Sequence, residues 1–156
     1  MPIQAGERAP DATLAIRPRE YIRLHEQLGE QPVVLLFFPF AYSGVCTTQM
    51  CAIAEDWSPW ASLGAKVFAI SVDSPYVQER FARDCGARFP FLSDFNREAT
   101  RAFGIERPDI GGLRGASERA AFVIDREGVV VYAWVGEHPG LTPDFEPIRE
   151  AVAAAG

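Results

Sequence analysis

The sequence predicts an α/β domain with a central mixed sheet flanked by helices. Two apolar, β-prone runs, Val33–Phe38 (VVLLFF) and Lys66–Val72 (KVFAISV), have the length and composition of strands buried on both faces. Each is followed by residues at helical spacing. Two later runs, Ala120–Ile124 and Val129–Val135, are separated only by Asp125-Arg126-Glu127-Gly128, a hairpin turn with glycine at its end. Parallel inner strands joined by crossover helices, plus one antiparallel pair, follow from that order.

Along the chain, residues 1–13 read as an irregular lead-in containing two prolines and a glycine. Pro18 and Gly29 bracket a segment, Tyr21–Leu28, that favours no one conformation. After the first strand, Pro39 ends the run and Ser43-Gly44 makes a short polar turn. A helix starts near Val45–Cys46. Cys46, Met50, Ile53 and Trp57 recur at helical spacing, and Pro59 stops the pattern. After the second strand, Asp73-Ser74-Pro75 supplies an N-cap and a proline for the first helical turn. Val77, Phe81 and Cys85 form the apolar stripe of that helix, and Gly86 is its C-cap. Phe89–Leu92 is a short strand, Arg97–Phe103 a short helix, and Ile105–Ser117, with three glycines, a loop. Pro143–Ala154 is helical. Neither a repeat nor a linker divides the chain, so residues 1–156 are expected to form one domain.

Composition narrows the function. Apolar residues make up 48% of the chain, enough for a sizeable core. The formal charge is −6, which disfavours broad contact with nucleic acid or an anionic membrane. The N-terminus lacks the basic-then-apolar pattern of a signal peptide, and Val33–Phe40 is too short to span a bilayer. A cytoplasmic location is therefore expected. In that compartment three cysteines, Cys46, Cys51 and Cys85, are expected to be reduced, catalytic or redox-cycling rather than a disulfide scaffold. Their spacing to His25 or His138 lacks the clusters of a zinc site, so no metal is expected. Gly111-Gly112-Leu113-Arg114-Gly115 lacks the lysine of a phosphate loop. Trp57, Trp60 and Trp134 read as core or subunit-contact residues.

Cys46 falls where α/β folds collect function, between a strand's carboxyl end and the start of the next helix. A thiol attacks only as its thiolate, and the N–H groups and partial positive charge of a helix N-terminus favour that form. An arginine, which never loses its charge, favours it further. The hydroxyl of Ser43, three residues earlier, could donate to the sulfur or accept from a bound peroxide. Pro39 removes a backbone N–H and shapes the loop that shields the sulfur. The constellation suits attack of sulfur on an electrophilic oxygen to give a sulfenic acid.

Pro39-Phe40-Ala41-Tyr42-Ser43-Gly44-Val45-Cys46 matches the pattern P-x-x-x-[T/S]-x-x-C, and the chain here resembles the peroxiredoxins. Arg119, directly ahead of Ala120-Ala121-Phe122-Val123-Ile124-Asp125, stands where that family has an arginine reaching the attacking sulfur. Gly6-Glu7-Arg8-Ala9-Pro10-Asp11 and Phe89-Pro90-Phe91-Leu92-Ser93-Asp94 resemble two further family segments, in the same order. The chain is most similar to the alkyl hydroperoxide reductase E-type and peroxiredoxin Q groups. The resemblance implies a thioredoxin-like fold and peroxidase activity on hydrogen peroxide and organic hydroperoxides. It also implies a thiol reductant of thioredoxin or glutaredoxin type, a homodimer, and no cofactor. Two positions depart from the family pattern. Ser43 replaces the commoner threonine, and Gln49 stands where many relatives carry glutamate. If that glutamate positions the arginine, an uncharged amide has to do so here.

The fate of the sulfenic acid stays open at this level. Cys51, five residues on, lies about 140° around and about 7.5 Å along an intact helix from Cys46. A disulfide wants Cα atoms within about 7 Å, so that bond needs the first turns to unwind. The C-x-x-x-x-C spacing nevertheless occurs in part of the peroxiredoxin Q group, which favours Cys51 as the resolving thiol. Cys85 lies in the helix where other members of the group place theirs, or it is a core cysteine. Direct reduction by an external thiol is the third course. A thioredoxin-like disulfide oxidoreductase is the alternative function, and the lack of C-x-x-C at the helix start counts against it.

Overall fold

The computed structural model describes all residues, Met1–Gly156. In chain order the elements are β1 (Thr13–Arg17), β2 (Glu20–Arg23), β3 (Val33–Phe37), α1 (Gly44–Glu55), α2 (Ser58–Ala61), β4 (Lys66–Ser71), α3 (Pro75–Cys85), β5 (Phe91–Ser93), α4 (Glu98–Ala102), β6 (Glu106–Arg107), β7 (Ala116–Ser117), β8 (Ala120–Ile124), β9 (Val130–Val135) and α5 (Phe145–Ala155).

Seven strands form one sheet in the order β2-β1-β5-β4-β3-β8-β9, and β6 and β7 make a separate small ribbon. The pairs β3–β4 and β4–β5 are parallel, with α1 and α3 in the crossovers. The remaining pairs of the large sheet are antiparallel. The run at β3 is buried along its whole length because it sits in mid-sheet with both faces covered. Its side chains alternate. Val34, Leu36 and Phe38 join Met50 of α1, Phe81 of α3 and Ile148 and Val152 of α5 in one core. Val33, Leu35 and Phe37 join Ala99 of α4, Phe103 and Phe122 in the other. The result is a sheet between two apolar layers.

Register brings distant residues to one edge. Phe37 pairs with Ala120 across β3 and β8, so Arg119 lies beside the point where the chain leaves β3 for Pro39. The parallel β4 ends at the same edge, with Asp73 just beyond it.

The elements differ from expectation in three places. Thr13–Arg23 folds as a hairpin at the sheet margin, where charged Arg17, Glu20 and Arg23 blunt an exposed edge and hide the strand pattern. Its turn uses Arg19 at φ 68°. Pro59 does not stop the first helix. That helix ends at Glu55, and Pro59 sits in the first turn of α2, where the missing N–H costs no hydrogen bond. The glycine-rich stretch holds the β6–β7 ribbon. The α3 termini are as expected: the Ser74 hydroxyl accepts from Val77 N, and Gly86 closes the helix at φ 72°.

Asp94 fixes the passage from β5 into α4. It is 1% exposed, and its carboxylate accepts from Ala99 N at 3.1 Å, Thr100 N at 2.7 Å and the Thr100 hydroxyl at 2.6 Å. Burial raises its pKa above the ordinary carboxylate value, against the opposing pull of these hydrogen bonds. Asp94→Ala strands three donors away from water and is expected to destabilise the fold by about 2–4 kcal/mol. The check is urea denaturation, read as a lower midpoint at unchanged slope. A loss below about 1 kcal/mol would show that water replaces the carboxylate there.

Candidate active site

The chain leaves β3 through Phe38, whose N–H donates to Ile70 O at 2.9 Å, and then through buried Pro39. The loop that follows is held from outside. Ala41 N donates to an Asp73 carboxylate oxygen at 2.7 Å, which also accepts from Ser71 Oγ at 2.6 Å. Ser117 Oγ donates to Phe38 O at 3.2 Å. Tyr42 takes a left-handed backbone, φ 67°, which costs a bulky residue energy unless its surroundings hold it. Its ring packs on Phe81 with centroids 4.9 Å apart, and its hydroxyl donates to Asp84 at 2.7 Å. Hydrogen bonding from Tyr42 holds the Asp84 carboxyl below its ordinary pKa, while desolvation and then Asp84 raise that of Tyr42. The contact therefore persists through the neutral range: Asp84 keeps its charge to lower pH and Tyr42 keeps its proton to higher pH.

Ser43 is the N-cap of α1, with extended backbone at φ −71° and ψ 155°. Its carbonyl accepts from Thr47 N at 2.8 Å, the first bond of the helix. Its hydroxyl does not donate to the sulfur. It donates to Phe40 O at 2.9 Å and so closes the turn, which corrects one of the two expected bonds. The oxygen keeps lone pairs that can accept. No side chain caps α1 and no acidic residue lies in its first turn. The positive end of the helix is therefore not cancelled by a neighbouring anion.

Cys46, the third residue of α1, is a free thiol and 1% exposed. Arg119, 2% exposed, points at it from the start of β8. One guanidinium nitrogen, Nη2, donates to Cys46 Sγ at 3.1 Å and to Pro139 O at 3.1 Å, and Nε donates to Pro139 O at 3.2 Å. Nη1 donates to Gln49 Oε1. None of the seven salt bridges includes Arg119. Two of its partners are neutral carbonyl oxygens, so the Cys46 sulfur is the one hydrogen-bonded group able to carry negative charge. A buried cation without an anion is costly, and the sulfur is the partner placed to offset it. The arrangement holds the sulfur beside a fixed cation and shields it from bulk water.

The structure brings Pro39, Ser43, Cys46 and Arg119 to one edge of the sheet. Three contacts were not foreseen. The Pro139 carbonyl comes from a segment without a recognisable motif. The Tyr42–Asp84 and Asp73–Ala41 tethers join residues 42 and 32 positions apart and leave no local signal. Gln49 does contact the arginine, as a neutral acceptor. A groove of about 420 Å³ borders the site between α1 and the 140–143 segment, lined in part by Val45, Gln49, Ile53 and Trp60.

The two resolving candidates are joined to each other. Cys51 on α1 and Cys85 at the end of α3 form a disulfide with Cα atoms 4.6 Å apart. Sequence reasoning weighed each only against Cys46 and missed this pairing. The geometry explains it, since α1 and α3 pack side by side on the same face of the sheet and two half-buried cysteines meet between them.

Comparison with known proteins adds the context. The AhpC/TSA family profile matches residues 5–133. Alkyl hydroperoxide reductase E of Mycobacterium tuberculosis is 29% identical over 154 residues, covering 97% of either chain. A protein of Coxiella burnetii described as putative peroxiredoxin bcp is 30% identical over 136 residues, 86% of this chain and 89% of that one. Among solved structures, a peroxiredoxin-like protein from Aquifex aeolicus superposes with a TM-score of 0.87 at 22% identity, over 100% of this chain and 90% of the other. At that identity the likeness is one of fold.

Proposed function

The chain belongs to the AhpC/TSA family and is a peroxiredoxin of thioredoxin-like fold, a thiol-dependent peroxidase, and we propose that Cys46 is its peroxidatic residue. The observation that carries this is the buried, carboxylate-free Arg119 donating to Cys46 Sγ. A hydroperoxide enters beside the sulfur, and the thiolate attacks the terminal oxygen. The S–O bond forms as the O–O bond breaks. Sulfur is oxidised by two electrons to the sulfenic acid, and the leaving oxygen takes a proton to become water or an alcohol.

Each neighbour has a role in this reading. Arg119 favours the thiolate and can donate to a peroxide oxygen as charge builds there. The Ser43 oxygen, fixed by Phe40 O, accepts from the peroxide O–H. Pro39 closes the loop without presenting an N–H. The groove beside Gln49 offers an alkyl substituent an apolar wall at Val45, Ile53 and Trp60. An external thiol, of thioredoxin or glutaredoxin type, returns the enzyme to its reduced state, and the family resemblance supports a homodimer. The whole chain, 1–156, is taken as one domain because a single sheet runs from residue 13 to residue 135.

The test is trapping. Cys51→Ser/Cys85→Ser protein, which keeps no thiol that could resolve a sulfenic acid, is reduced, freed of reductant and mixed with one equivalent of hydrogen peroxide in the presence of a dimedone-type reagent, and peptides are mapped. The adduct is expected on Cys46. An unmodified Cys46 in this protein refutes the assignment.

A further inference from the structure

We propose that Cys46, Cys51 and Cys85 form a three-thiol relay: Cys51 resolves the sulfenic acid on Cys46, and Cys85 then displaces Cys46, storing the oxidation as a Cys51–Cys85 disulfide. This rests on the peroxidase reading and goes beyond it by naming both resolving residues and their order.

The starting observation is the division of the three sulfurs. Cys46 is free and 1% exposed, while Cys51 and Cys85, each partly exposed, are bonded across 34 residues. A protein reductant cannot reach a buried sulfur without opening the site. It can reach a half-exposed pair beside the C-terminus of α3. Moving the disulfide from Cys46 to that pair therefore puts it where a dithiol can attack.

The path between the two positions is built into α1. Cys46 and Cys51 share the helix, and about 7.5 Å of axial rise separates them while it stays intact. The first turn is the weak part. Gly44 and Val45 are exposed, no side chain caps the helix, and the turn is held mainly by burial of Cys46 against Arg119. Both ends of the segment are fastened to the end of α3: Tyr42 binds Asp84, and Cys51 lies against Cys85. Residues 43–49 can unwind between these anchors while Met50 stays in the core.

The chemistry then runs in one direction. The Cys51 thiolate attacks the sulfenic sulfur of Cys46. The S–S bond forms, the S–O bond breaks, and hydroxide leaves and takes a proton to become water. Next the Cys85 thiolate attacks Cys51 Sγ, the Cys46–Cys51 bond breaks, and Cys46 leaves with the electron pair. Exchange expels the better-stabilised thiolate fastest. The Arg119 guanidinium, lacking any carboxylate, recaptures the expelled Cys46 sulfur as α1 rewinds, and that return drives the second step forward. Over both steps Cys51 and Cys85 together lose two electrons, and Cys46 returns to its starting state.

A purely structural disulfide is the rival, and peptide mapping separates the two. Fully reduced protein receives one equivalent of hydrogen peroxide, is quenched with an alkylating agent at successive times, and is digested without reductant. Wild type is expected to pass through Cys46–Cys51 and end as Cys51–Cys85 with Cys46 alkylated. Cys85→Ser is expected to stop at Cys46–Cys51. In Cys51→Ser the disulfide is lost and Cys46 remains a sulfenic acid. In Cys46→Ser, peroxide-driven closure of the Cys51–Cys85 pair is lost on the same time scale. The relay is overturned if wild type consumes the peroxide and keeps Cys51 and Cys85 as thiols. It is also overturned if Cys85→Ser forms no Cys46–Cys51 bond, or if Cys46→Ser closes the pair as fast as wild type. Failure of the peroxidase reading looks different: wild type consumes no peroxide and Cys46 is unmodified.

Discussion

The Cys46→Ser protein is expected to consume hydroperoxide no faster than buffer when dithiothreitol is the reductant. Removing an attacking nucleophile costs on the order of 10⁴-fold or more, because nothing else in the site can form the covalent intermediate. A serine hydroxyl at this position is not ionised by a neighbouring guanidinium, and its oxygen cannot take up a second oxygen as sulfur does. Cys51 and Cys85 offer no substitute. Arg119 donates to Cys46 Sγ and to neither of them, so as thiols they lack the buried cation beside the sulfur. Serine is close to cysteine in size, so the fold should persist, and an unchanged far-ultraviolet spectrum would confirm that. Peroxide is followed by ferrous-thiocyanate or xylenol-orange colour over time. Residual turnover above about 1% of wild type would show that another thiol carries the reaction.

Cys46 was legible because its surroundings are local. Pro39, Ser43 and the start of α1 lie within eight residues, and a strand–turn–helix has few ways to fold. Arg119 was legible only through a resemblance. By its chemistry it is one of fourteen arginines, and its meaning comes from the pairing of Phe37 with Ala120. The inner strands announced themselves because both faces are buried, which leaves a continuous apolar run. The β1–β2 hairpin did not, since its charged edge residues interrupt the alternation. The Cys51–Cys85 bond was hidden for a similar reason. It depends on the packing of α1 against α3, and the sequence distance between the two residues says nothing about that packing.

Arg119→Ala is expected to slow peroxide reduction by about 10²–10³-fold, the usual cost of losing one preorganised donor at a developing charge. Two contributions should add. The thiolate loses its one buried cation, and the attacked peroxide loses a hydrogen-bond donor. They can be separated, because alkylation of Cys46 by iodoacetamide needs only the thiolate. If the cation serves mainly to form the thiolate, alkylation and peroxide reduction fall together. If it also serves the transition state, peroxide reduction falls further. Arg119→Lys tests the fork. It keeps the charge, but one ammonium cannot span Cys46 Sγ, Gln49 Oε1 and Pro139 O as the guanidinium does, so recovery should be partial. Alanine also leaves the half-buried Gln49 and Pro139 acceptors without this donor. Some stability is therefore lost as well, and rates must be compared at a temperature where each variant is folded. An alanine variant within about threefold of wild type would mean that the helix N-terminus alone sustains the thiolate, and that the carboxylate-free burial of Arg119 has another cause.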